Sequence, residues 1–74
     1  MGQKYIEIGK TIARIRKDKG LSLENVASVA GIHRTTVGLI ERGEREPTIN
    51  TAAKIASALG LTLIELLQLA EKEE

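Results

Sequence analysis

Arg34, Thr35 and Thr36 follow the chain's single histidine, His33, in a stretch that reads LSLENVASVAGIHRTTVGLIERGER from Leu21 to Arg45. Arginine carries five N–H donors in a fixed fork and can bridge two acceptors lying side by side. Threonine presents a hydroxyl next to a methyl group. Recognition by such groups needs no proton transfer, and nothing nearby supplies a reaction instead. His33 has no second ligand or nucleophile in a recognisable motif, and there is no cysteine. A Gly-rich phosphate loop, a catalytic carboxylate pair and a Ser/His/Asp arrangement are all missing from the sequence. No enzyme, metal, cofactor or small-molecule substrate is therefore expected.

Two short amphipathic segments must hold these side chains. Ser22 can N-cap the first, because its hydroxyl can accept from backbone N–H groups that have no helical partner. Ala-Gly-Ile then breaks it, with Gly31 free to adopt positive φ. His33 starts the second segment, either as a poor substitute for a capping serine or threonine or as a phosphate contact. Ala27 lies where two crossing helices would touch, Gly31 makes the turn, and Val37 packs back on the first segment. That spacing of a small residue, a glycine and a β-branched residue looks like a helix-turn-helix unit over about residues 22–42. With Glu41-Arg42-Gly43 following, LSLENVASVAGIHRTTVGLIERG resembles the Cro/C1-type (Xre-like, lambda-repressor-like) regulators, and the similarity runs to about Leu67.

The resemblance implies a domain whose second segment enters the major groove of double-stranded DNA. Arg34 would give two parallel bonds to guanine O6 and N7, and Thr35 a hydroxyl and a methyl for thymine. Thr36 lies with them among the base and phosphate contacts. Gly38 costs roughly 1 kcal/mol relative to alanine within a helix and would let the groove wall approach closely. Leu39 would touch a thymine methyl or enter the core. Arg42 and Arg45 flank the next loop as phosphate or minor-edge contacts, Arg45 because the similar restriction–modification controller proteins carry arginine there. Ser22 can hold a phosphate while also capping. Leu23 departs from the family, whose members often have glutamine, which removes one polar groove or backbone contact. Arg16 and Glu41 match positions that form an ion pair between the first and third helices of related phage repressors, and they are read as structural.

Apolar spacing and capping residues predict five helices, and the resemblance implies that they pack as an all-α, compact five-helix bundle. The first helix runs from about Tyr5 to Lys19 on a stripe of Tyr5, Ile8, Ile12 and Ile15, and Gly20 stops it. The second spans about Leu23 to Ala30, with Val26, Ala27, Val29 and Ala30 inward. The third covers about Arg34 to Arg42, with Val37, Ile40 and Glu41 inward and Arg34, Thr35 and Gly38 pointing away. Thr48 or Asn50 caps the fourth, about Ile49 to Leu59, whose apolar face is Ile49, Ala52, Ala53, Ile55, Ala56 and Leu59. Thr62 and Glu65 make a capping box for the fifth, about residues 63–71.

A chain of 74 residues makes one domain, near the size at which a lone core barely suffices. Phe and Trp are absent, so Ile, Leu, Val and Ala must build that core. The lack of cysteine fits a reducing cytosol, no apolar run approaches membrane-spanning length, and no signal peptide opens the chain. A soluble, cytoplasmic protein is expected. From Met1 to Arg45, nine Lys and Arg oppose five Asp and Glu, a net of +4, whereas the remainder nets −3. Such a division suits a molecule with one phosphate-facing side.

The fifth helix carries more apolar residues than one buried stripe requires, and the resembled proteins pair through this region. Leu63, Leu66, Leu67 and Leu69, with part of the fourth helix, are therefore expected at a homodimer interface. The expected function is a sequence-specific regulator of a near-palindromic operator, acting by promoter occlusion or recruitment of RNA polymerase. Within this class RTTVGLIERGER looks like the restriction–modification controller proteins, with a phage-type repressor as the alternative. The alternatives outside it are an interaction module, such as the antitoxin of a toxin–antitoxin pair, and a non-specific nucleic-acid binder.

Overall fold

Residues 7–73 are described by the computed structural model. They form α1 (Ile8–Asp18), α2 (Leu23–Ala30), α3 (Arg34–Glu41), α4 (Ile49–Ala58) and α5 (Leu63–Lys72), with no strand among the described residues. Local chemistry sets the boundaries. Ser22 Oγ accepts from the Asn25 amide at 2.9 Å and Asn25 Oδ1 accepts from the Ser22 amide at 2.9 Å, a reciprocal cap for α2. Thr48 caps α4 through the Thr51 amide, and Thr62 and Glu65 close the box predicted for α5. Gly31 ends α2 at φ 73°, ψ 32°, and the Ile32 amide donates back to the Ala27 carbonyl at 3.0 Å. Only Ile32 and His33 then precede α3. At the other end of the bundle, α4 and α5 meet at 89°.

Helix α1 packs on α3 and α5, α2 packs on α3 and α4, and α4 packs on α5. Ile12, Val26, Val37, Ile40, Ile55, Leu59 and Leu66 fill the space between them, with Ile15, Ala27, Ala30 and Ala56 in the same buried cluster. Full burial of one Ile or Leu contributes about 1.5–3 kcal/mol relative to exposure. The alanines let helix axes approach closely, and the described buried cluster is wholly aliphatic. Tyr5, expected on the stripe of α1, lies outside the described residues.

Three expectations are corrected here. Val29 is exposed, because Val26, Ala27 and Ala30 already form the inward side of α2. Ile49 is 77% exposed in the first turn of α4, outside the buried cluster. Helical spacing identifies the side of a helix but not how far along it a neighbour extends. Leu66, expected at an interface, is fully buried within the chain's own core.

Two contacts fix α1 against the last turn of α3. At the buried Gly9, main chain meets main chain: an added methyl would collide with the Ile40 carbonyl oxygen and lie 3.0 Å from that of Glu41. Two turns later Arg16 reaches Glu41, as expected. Its Nε donates to Oε2 at 2.7 Å, its Nη2 to Oε1 at 3.1 Å, and its Nη1 to the Leu21 carbonyl at 2.9 Å. The two side chains are only 12% and 9% exposed. The hydrogen bond to Glu41 raises the Arg16 pKa above its already high value, against the lowering effect of burial. On the outer side, Arg14 pairs with Asp18 and with Glu73 of the residue following α5.

Glu41→Gln leaves the Arg16 charge buried without a compensating carboxylate, so urea unfolding should show a loss of about 3–5 kcal/mol. Unchanged stability would mean that the pair carries no structural weight. Gly9→Ala should cost about 1–3 kcal/mol in the same measurement, even though alanine is the better helix former, because the obstructing atoms are backbone carbonyls.

Candidate nucleic-acid interface

Ser22, His33, Arg34, Thr35, Arg42 and Arg45 are all exposed, while Thr36 and Leu39 are half-buried. Packing of α2 on α3 brings most of them to one strip. Arg34 Nη1 lies 3.4 Å from Glu24 Oε2, and a Leu23 methyl lies 3.9 Å from where a Cβ would stand at Gly38. The start of α2 thus runs beside the first two turns of α3. Ser22 uses its oxygen to cap α2 and its amide to bind Asn25, which leaves the hydroxyl hydrogen to donate outward.

His33 occupies the N-cap position of α3 with φ −76° and ψ 142°, but no side chain accepts from the first-turn amides. The Arg34 and Thr35 amides at the positive end of α3 are therefore left without a side-chain acceptor, while the Thr36 amide donates to the His33 carbonyl at 3.0 Å. Amide donors and the helix dipole there favour an anion. Arginine and threonine beyond it add the donors and the methyl that a base edge can meet.

Gly38 requires a correction. Expected to point away and admit a groove wall, it is buried. Arg42 folds back over it, with Nη1 3.2 Å from the position of a Cβ, and Leu23 approaches the same point. Long helical side chains lean toward the N-terminus of their helix. The missing side chain gives the Arg42 guanidinium room to lie along α3, where its Nε also donates to Glu44 at 3.1 Å.

The pairing of Glu24 with Arg34 joins two helices and has no signature in either segment alone. An acid in the first turn of α2 reads as ordinary dipole compensation. Its one signal was that the turn at Gly31 folds residue 24 back toward residue 34. Arg34 lies against Glu24 and Arg42 pairs with Glu44, so two arginines of this strip each have an acidic neighbour. Placed donors rather than bulk positive potential distinguish the strip. No described helix is long and apolar enough to cross a membrane. Among the described residues, no group of three or more His, Asp or Glu could hold a metal ion.

Two helices joined at a left-handed glycine, with the second helix's first turn left open and flanked by arginine and threonine, define a helix-turn-helix DNA-binding domain. Residues 12–66 match the model described as helix-turn-helix, HTH_3, and the chain belongs to this Xre-like family of DNA-binding transcriptional regulators. It is similar to y4dJ, an uncharacterized HTH-type transcriptional regulator of Sinorhizobium fredii, with 39% identity over 59 residues, 80% of this chain and 77% of the relative. It is also similar to control protein C.MunI of a Mycoplasma species, with 38% identity over 69 residues, 92% of this chain and 93% of the relative. Among solved structures, the restriction-modification controller protein C.AhdI of Aeromonas hydrophila superposes with a TM-score of 0.77 and 36% identity, over 82% of this chain and 92% of that one. The five-helix fold and the expected resemblance to controller proteins both hold.

Proposed function

We propose that this regulator reads a near-palindromic operator as a homodimer and controls a restriction–modification operon. The open first turn of α3, with Arg34 and Thr35 exposed beside it, is the observation that carries base reading. Arg34 contacts guanine through two parallel bonds, and Thr35 contacts a neighbouring base. Ser22, Thr36, Arg42 and Arg45 position the domain on phosphates. Similarity to C.MunI and C.AhdI over most of each chain supports the controller role. Bound at its operator in the cytoplasm, the protein occludes a promoter or recruits RNA polymerase.

Support for the homodimer comes from apolar side chains that the bundle leaves uncovered. Ile64 on α5 is 67% exposed and Ile49 on α4 is 77% exposed. Leu63, Leu67 and Leu69 are half-buried, and Leu69 packs on the core. An open groove of about 700 Å³ lies alongside, lined by Ile8, Ile40, Ile49, Leu63 and Leu67 and also by the charged Lys10, Arg42, Arg45 and Glu46. The proposed interface is therefore Ile49, Leu63, Ile64 and Leu67. Twofold pairing would set two α3 helices about 34 Å apart, one turn of duplex DNA.

Selection from random duplexes at one fixed salt concentration should return a palindrome, and Arg34→Ala should relax it at one symmetric pair of positions. Failure of the native chain to enrich any motif would refute base reading. Ile64→Glu should weaken dimerisation by more than about tenfold in sedimentation, since two apolar side chains of roughly 1.5–3 kcal/mol each are lost from a symmetric interface. Its helical circular dichroism should be unchanged. Full dimer retention would place the interface elsewhere.

A further inference from the structure

We propose that Glu24 is a positioning residue for Arg34 and sharpens base choice at the position Arg34 reads. This rests on the DNA reading proposed above. The two residues belong to different helices, and Glu24 Oε2 meets Arg34 Nη1 at 3.4 Å across the α2–α3 turn. Their relative placement is fixed by Gly31 and by the buried Ala27 and Val37, not by the pair itself. No neighbour in the first turn of α2 can replace Glu24. Leu23 is apolar, and Asn25 Oδ1 is occupied by the Ser22 amide.

One contact at Nη1 leaves the Nε and Nη2 edge of the guanidinium free. That edge carries the two parallel donors needed for a planar pair of acceptors, so Arg34 can hold Glu24 and a base edge together. Both side chains are about two-thirds exposed in the free chain, where water weakens the attraction. A groove wall that excludes water strengthens it. Glu24 then limits the rotamers Arg34 must give up on binding.

The same carboxylate opposes wrong placements. Glu24 follows Ser22 at the start of α2, where a phosphate would approach. A register that seats a phosphate against Arg34 also brings that phosphate toward Glu24, and like charges repel. Correct base contact is favoured and phosphate capture is penalised by a single side chain.

The test compares the native chain, Glu24→Gln, Arg34→Ala and the double variant in random-duplex selection at one salt concentration, with thermal unfolding of each. Glu24→Gln should keep the palindrome and the unfolding midpoint. It should lower base discrimination at the Arg34 positions by roughly two- to tenfold, the scale of losing the preordering of one long side chain. Binding to a random duplex should tighten. In the Arg34→Ala background, Glu24→Gln should change nothing at those positions. Unchanged discrimination in Glu24→Gln, or equal relaxation with Arg34 absent, would overturn the positioning role. Loss of stability with all positions relaxing together would make Glu24 structural and also overturn it. A native chain that enriches no motif would instead refute the DNA reading, and the proposal with it.

Discussion

The guanidinium of Arg16 lies inside the bundle with acceptors at three of its nitrogens: both carboxylate oxygens of Glu41 and the carbonyl of Leu21. Removing such charges from water is costly, and only near-complete hydrogen bonding makes it tolerable. Here the bonds join three pieces of chain at one point: α1, the turn before α2, and the last residue of α3. An eight-residue helix such as α3 has little stability of its own. Held at its end by Glu41 and at its middle by Val37, it presents its first turn at a fixed angle to the start of α2. The exposed chemistry thus depends on an interaction that is almost wholly buried.

On that surface, charge is ordered rather than accumulated. The basic first part of the chain suggests a positive face, yet the arginines around α3 are interleaved with glutamates. Arg34 is beside Glu24, and Arg42, lying over Gly38, is beside Glu44. A strip of this kind gives weak general attraction to polyanions and leaves recognition to the placement of individual donors. It fits a protein that must leave most DNA unbound.

Much of this architecture is legible in the sequence because its signals are local. Ser22, Thr62 with Glu65, and Gly31 each announce a cap or a turn within four residues, and the structure uses all of them. The Arg16–Glu41 pair is 25 residues apart and was accessible only through family resemblance. Features that depend on where one helix ends against another were not legible. Val29 and Ile49 look inward by spacing but extend past the buried face, while Leu66 looks available and is sealed. Gly38 reads as a concession to a ligand and proves to be a seat for Arg42. Ionic partners across the turn, such as Glu24 and Arg34, follow from the crossing of two helices, which no single segment encodes.

At Gly9 the main chains of α1 and α3 touch without an intervening side chain. Contacts between side chains can be retuned by exchanging one residue for another of different bulk, which lets neighbouring helices drift and tilt through evolution. A main-chain contact offers no such adjustment. Descendants that alter Arg34 or Thr35 to read a different sequence would keep the same docking angle. New specificities would then arise by changing the letters displayed on a fixed bar, and position 9 would be closed to substitution long before the reading residues are.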